Sequence, residues 1–129
     1  MLIKNIITYE ELKDYFKKYK YIILNISATW CKPCIQLKPL IEKFISVLEI
    51  DKKDYIYLKI DEADYSSDVQ FEDLFHMKKI PYFAILKDGI LKDMFVSGDF
   101  QYVSTKIFEY IKMESLINNI TDLKIDDDF

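Results

Sequence analysis

The 129-residue chain contains no arginine; all 18 of its basic residues are lysine. It therefore lacks the usual bidentate reader of phosphate and guanine. The lysines do not gather in one stretch and the net charge is -4, so nucleic acid is not expected as a partner. The chain has one histidine, His76, and two cysteines, Cys31 and Cys34. A tetrahedral Cys/His site needs four ligands, so a metal centre would have to recruit carboxylates or be shared across a dimer. No metal is expected, and His76 reads as an ordinary surface or packing residue. No apolar run approaches membrane-spanning length. The stretch "MLIKNIITYEELKDYF" lacks the apolar segment and small-residue cleavage site of a signal peptide. A soluble, cytoplasmic protein with no membrane partner is expected, in a compartment where stable structural disulfides are rare. There are no internal repeats and no linker.

What is present is a sequence that is 50% apolar and 16% aromatic, enough for one well-filled core. In "YEELKDYFKKY" the spacing of Leu12, Tyr15, Phe16 and Tyr19 predicts an amphipathic helix. Thr8, three residues before Glu11, supplies a capping box at its start. "YIILNISA" and "DYIYLKID" are short, β-branched or aromatic runs that predict strands buried on both faces. Between them a long helix is expected from Cys34 to about Glu49, with Pro39 to be absorbed near its start or to kink it. "SSDVQFEDLFHMKK" predicts a short helix with Val69, Phe71, Leu74 and Phe75 on its inner face. "YFAILKDGILKDMFVSG" predicts a hairpin turning at Asp88-Gly89. A last helix is expected from Asp99 to about Met113, carrying Val103, Ile107, Tyr110 and Ile111 inward. Strands alternating with helices and closed by a hairpin give an α/β fold, a central mixed β-sheet sandwiched by helices. Residues 1–113 form this domain, and residues 114–129 are expected to be a polar, acidic extension.

Both cysteines lie in "ATWCKPC", and three readings compete for them. As half of a metal site they find only His76 and no further cysteine. As a staple they close a loop so short that the unfolded chain is hardly restricted. As a redox pair they use the whole segment. A strand ends, the chain turns, and a helix begins at Cys31, where backbone N–H groups and the helix dipole favour a thiolate. Lys32 adds positive charge, and Pro33 occupies a position whose N–H has no partner in a helix. Cys34 follows one turn later, sheltered until needed.

This segment resembles the active site of the thioredoxin family, whose pattern is WC-x-PC. Pro39 matches the proline that bends the family's active-site helix, and "KIPYF" matches the Ile-Pro before a central strand. Gly89 and Gly98, the only glycines, fall at the family's hairpin turn and at the opening of its last helix. The resemblance covers roughly Ile6 to Met113 and implies a thioredoxin fold. It further implies that Cys31 attacks as an exposed nucleophile and Cys34 resolves. Pro81 would be cis, and Trp30 would pack beside the disulfide. Trp30, Ile80, Pro81 and Tyr82 would bind substrate, with Lys32, Pro33, Asn25 and Lys59 in support. Asn25 stands where the family has a buried aspartate, Tyr82 where threonine is common, and Lys32 where glycine is most frequent. A longer segment between Asp64 and Pro81 suggests an expanded loop near Tyr65 and Ser66.

The implied activity is protein-disulfide reduction without a bound cofactor. It would be carried out by a monomer, with a thioredoxin-reductase-like electron donor and protein disulfides as substrates. The alternative is an adaptor that docks peptides beside Pro81, its thiols incidental. The ending "KIDDDF" resembles the C-terminal peptide by which small subunits of ribonucleotide reductase dock, which suggests that enzyme as a client.

Overall fold

The computed structural model describes residues 1–48, 50 and 53–126. The acidic ending beyond Asp126 lies outside the described residues. Among the described residues, five strands form one sheet in the order β1-β3-β2-β4-β5. They are β1 (Leu2–Asn5), β2 (Tyr21–Ser27), β3 (Tyr55–Asp61), β4 (Tyr82–Lys87) and β5 (Ile90–Val96). Strands β1, β3 and β2 run parallel, while β4 and β5 are antiparallel to their neighbours. Among the described residues, five helices cover the sheet: α1 (Tyr9–Lys18), α2 (Lys32–Val47), α3 (Glu62–Ser67), α4 (Val69–Phe75) and α5 (Phe100–Asp126).

The period-2 alternation of the strands sorts their side chains into two cores. On one face Ile23, Tyr57, Phe83 and Ile85 pack with Leu37 and Ile41 of α2 and with Val103 and Ile107 of α5. On the other, Ile22, Leu24, Ile56 and Leu58 pack with Leu12 of α1, Tyr65 of α3 and Phe71 and Phe75 of α4. The central strand β2 is buried on both faces over six of its seven residues, as its unbroken apolar run demands. The expected capping box closes α1, with the Thr8 hydroxyl accepting from Glu11 N–H and the Glu11 side chain accepting from Thr8 N–H. Asp88 and Gly89 both have positive φ at the β4–β5 turn, the conformation a two-residue hairpin favours.

Three local expectations need correction, and one strand was not foreseen. Strand β1 was not evident, because this four-residue edge strand has mostly exposed side chains and no apolar alternation. The loop expected around Tyr65 and Ser66 is helix α3, capped by the Asp61 side chain accepting from Ala63 N–H. Val69 is 75% exposed rather than on the inner face of α4, since it opens the helix before the buried Phe71 and Phe75. Helix α5 does not end near Met113 but continues to Asp126.

A buried polar contact accompanies that continuation. The Glu114 carboxylate is buried and meets Lys87 Nζ of β4 at 2.7 Å. Burial alone would raise the pKa of Glu114, but the hydrogen bond and charge of Lys87 help hold it below the ordinary carboxylate value. A carboxylate whose pKa is depressed by folding adds stability above its unfolded pKa and loses it as the pH falls through the folded one. Glu114→Gln is therefore expected to lower stability at pH 7 by roughly 2 kcal/mol. That is below the loss for a fully buried pair, because Lys87 keeps some contact with water. Denaturant midpoints should show this gap at neutral pH and its closure as the pH falls through the depressed folded pKa of Glu114.

Candidate active site

The C-terminal end of β2 delivers the chain into the turn Ala28–Trp30, and Cys31 becomes the N-cap of α2. Its backbone φ of -90° and ψ of 108° are extended, as an N-cap requires. Cys31 Sγ accepts the Cys34 backbone N–H at 3.3 Å, and the Cys31 carbonyl accepts the Ile35 N–H at 3.0 Å. A sulfur thus takes the place usually held by a Ser or Asp oxygen at a helix start. Pro33 lies in the first turn, where its missing N–H leaves nothing unsatisfied. Pro39 is accommodated inside the helix on its exposed side.

Cys31 and Cys34 are joined by a disulfide, their Cα atoms 5.2 Å apart. Cys31 is 6% exposed and Cys34 5%. In this oxidised form exposure does not distinguish the two, contrary to the expectation of an open Cys31. The distinction lies in hydrogen bonding, because only the Cys31 sulfur occupies the cap. The disulfide packs with Ala28 and with the half-buried Ile80. The Ile80–Pro81 bond is cis, as the resemblance implied. The buried Pro81 accepts the Ser97 N–H on its carbonyl at 3.2 Å.

The remaining site residues divide. Trp30 is 73% exposed and lines an open cleft of about 500 Å³ with Ile80, Tyr65, Glu72 and Lys78. Tyr82 belongs to the opposite face of the sheet. Its side chain is buried, its hydroxyl donates to the Phe75 carbonyl at 3.1 Å, and burial pushes its pKa up to about 12. It can therefore meet a substrate through its backbone alone. The reason is register, since the residue after Pro81 faces the α1/α4 side. Lys32 and Pro33 are exposed at the rim. Gly98 approaches this rim so closely that a Cβ built on it would lie 2.9 Å from Pro33 Cβ. Gly98→Ala should push on the active-site turn, cost about 1–3 kcal/mol as overpacking does, and slow disulfide reduction. Denaturant unfolding and an insulin-reduction assay measure the two effects.

Beneath the disulfide, Asn25 is buried and its Nδ2 donates to the Tyr82 carbonyl at 3.2 Å. Lys59 lies opposite Asn25 in the β2–β3 register. Asn25, Cys34, Lys59, Pro81 and Glu42 of α2 line a cavity of about 10 Å³, the volume of about one water. The Lys59 ammonium meets the Glu42 carboxylate at 2.9 Å. Glu42 was missed at the sequence level, although Cys34, Lys38 and Glu42 recur every four residues and so share one stripe of the helix. Tyr65 and Glu72 were missed too. The Tyr65 hydroxyl bonds the Glu72 carboxylate and accepts the Met77 N–H at 3.0 Å, joining α3 to the wall of the Trp30 cleft. His76 caps α4 in a left-handed conformation, exposed at that helix end. Among the described residues no group of three or more His, Cys, Asp or Glu side chains is placed to hold a metal, and no helix is long and apolar enough to cross a membrane.

Comparison with known proteins agrees with this geometry. The thioredoxin family model matches residues 4–112. Thioredoxin-2 of Pyricularia oryzae is 28% identical over 99 residues, a match spanning 77% of this chain but only 54% of that protein. The thioredoxin of Mycoplasmoides gallisepticum is 29% identical over 90 residues, or 70% of this chain and 83% of its own. The crystal structure of Malassezia sympodialis thioredoxin is similar with a TM-score of 0.69 at 25% identity, over 84% of this chain and 93% of that one. With the family matched across nearly the whole sheet and a disulfide formed by the pair at the head of α2, the chain belongs to the thioredoxin family and is a thiol–disulfide oxidoreductase.

Proposed function

We propose that this chain is a protein-disulfide reductase working as a cytoplasmic monomer. The observation that carries the reading is the N-cap placement of Cys31, whose sulfur accepts the Cys34 N–H, beside an exposed Trp30 and the cis Ile80–Pro81 bond. In the reduced form that hydrogen bond and the helix dipole favour the Cys31 thiolate. The thiolate attacks one sulfur of a substrate disulfide. A Cys31–substrate disulfide forms, and the other substrate sulfur leaves as a thiolate that takes a proton from water. Cys34 then loses its proton and attacks Cys31 Sγ. The Cys31–Cys34 bond forms, the second substrate sulfur leaves, and two electrons have passed from this chain to the substrate.

Residues Trp30, Ile80 and Pro81 offer an apolar rim against which an extended peptide rests, with the Tyr82 backbone continuing it. The oxidised pair is returned to the dithiol by a thioredoxin-reductase-like donor. Ribonucleotide reductase is a proposed client on the sequence of Lys124–Phe129 alone. The testing experiment is reduction of insulin with dithiothreitol as terminal reductant. Acceleration that requires both cysteines supports the reading. Binding to insulin without acceleration would make the chain an adaptor instead.

A further inference from the structure

Helix α5 carries an apolar face turned to solvent. Its buried line runs through Val103, Ile107, Ile111 and Glu114. The Glu114–Lys87 contact at 2.7 Å pins the helix in that rotation. Each residue advances an α-helix by about 100°. Met113, Leu116, Ile117 and Ile120 therefore share the flank that points away from the sheet, where they are 63, 58, 43 and 50% exposed. Met113, Leu116 and Ile120 are spaced i, i+3 and i+7, the spacing of a seam between two helices. The stripe lies beyond residue 112, where the match to the thioredoxin family ends, so the redox fold does not account for it. Contiguous apolar surface of this kind marks an interaction site.

The surroundings of the stripe point to a second copy as its occupant. Leu116 also lines an open cleft of about 690 Å³, with Leu48 and Phe108, over the stacked rings of Tyr21 and Tyr55, 4.3 Å apart. Asp54 and Lys112 line the same cleft, and neither is in an ion pair among the described residues. A surface with one unpaired charge of each sign finds its complement in its own two-fold mate, cation toward anion twice over. A lipid surface would instead favour a row of lysines along the apolar face. A parallel pair of helices would set Lys112 beside Lys112, like charge to like, so the antiparallel arrangement is favoured.

We propose that two copies of this chain pair through the Met113–Ile120 stripe of α5, antiparallel about a two-fold axis near Leu116. Two such patches with the adjoining cleft bury on the order of 1,000 Å² in total, the size of a weak and reversible interface. Half-dissociation is expected in the micromolar range. Tyr21 opens β2 and Cys31 follows its far end, so the pairing surface and the disulfide stand at opposite ends of the sheet. The redox site is complete in one copy. Each monomer remains the working unit of the reading above, and the pairing goes beyond that reading without depending on it.

The test is sedimentation velocity of the full chain between about 1 and 500 µM, a span that brackets a micromolar dissociation constant. It is run on the oxidised chain, whose two cysteines are paired with each other, so that no intermolecular disulfide adds mass. The expected result is a reversible rise from one chain mass to two. Leu116→Glu should weaken pairing about a hundredfold, because each substitution acts twice across the two-fold axis, and should leave a monomer throughout. Ile120→Ser is a milder second variant with the same direction of effect. Val69→Glu, on an exposed residue of α4 across the sheet, should pair as the unaltered chain does. An unchanged insulin-reduction rate shows that each variant is folded. A single chain mass at every concentration would overturn the proposal, as would a dimer that Leu116→Glu and Ile120→Ser leave intact. Cosedimentation of a persistent monomer with phosphatidylcholine vesicles would overturn it too, by making the stripe a lipid-facing surface.

Discussion

Cys31→Ser is expected to reduce disulfide-reduction activity to the uncatalysed rate, whereas Cys34→Ser keeps the first attack and accumulates a covalent adduct with its substrate. The asymmetry follows from the N-cap. In Cys34→Ser the residue-34 backbone N–H still points at the Cys31 sulfur, so the thiolate remains favoured and the first bond exchange proceeds. Without a second thiol the mixed disulfide has no internal attacker. In Cys31→Ser the remaining Cys34 lies one turn inside the helix, packed against Ala28 and Ile80, and has no cap to favour its thiolate. Mass spectrometry after mixing each variant with insulin should find adducts on Cys34→Ser and none on Cys31→Ser. Comparable adducts on both would reassign the nucleophile. Because the two cysteines are equally buried in the oxidised form, this experiment separates them where accessibility does not.

Asn25→Asp is expected to have the next largest effect, and its two consequences oppose each other. A carboxylate at this site lies against the cavity shared with Cys34 and across the register from Lys59. It supplies a general base, a contribution of about 10²–10⁴-fold where proton transfer limits the rate. The carboxylate also raises neighbouring thiol pKa values by like-charge repulsion, so the first attack slows slightly near neutral pH. Stability should fall. The side chain is buried, and Asn25 Nδ2 now donates to the Tyr82 carbonyl, a bond an ionised aspartate cannot make. Loss of that donor and burial of an ionisable group together cost about 2–4 kcal/mol. Turnover against insulin and denaturant midpoints for both forms measure the pair of effects. Turnover that is no faster between pH 6 and 8 would leave Asn25 as a packing residue.

The parts of this fold that were legible in the sequence are those whose signal is local. Strands β2 and β3 are apolar on both faces because both faces are covered, so their runs stand out against the helices. The Thr8–Glu11 box and the Asp88-Gly89 turn announce themselves through residue types that satisfy particular backbone groups or dihedrals. The illegible parts depend on tertiary partners. Strand β1 is a strand because β3 offers it an edge, and its own Lys4 and Asn5 carry no strand pattern. Helix α5 continues past Met113 through polar residues, and there Glu114 meets Lys87 on a distant strand.

The site shows the same division. Cys31 and Cys34 could be read from their spacing, and the cis bond before Pro81 from the resemblance. The outward turn of Trp30 and the inward turn of Tyr82 are matters of loop geometry and sheet register. Glu42 was hidden for a different reason. An acidic residue on a lysine-rich helix reads as part of a solvated face, and only the register of β3 brings Lys59 beneath it.

The central claim is that the Cys31–Cys34 pair cycles between dithiol and disulfide by passing two electrons to a protein disulfide. Its most direct measurement is a single turnover without external reductant. The reduced chain is mixed with insulin, quenched in acid and weighed by mass spectrometry. The expected result is a chain lighter by two hydrogens, carrying an intramolecular disulfide, for each insulin disulfide opened. A chain that keeps both thiols while insulin stays oxidised would contradict the account.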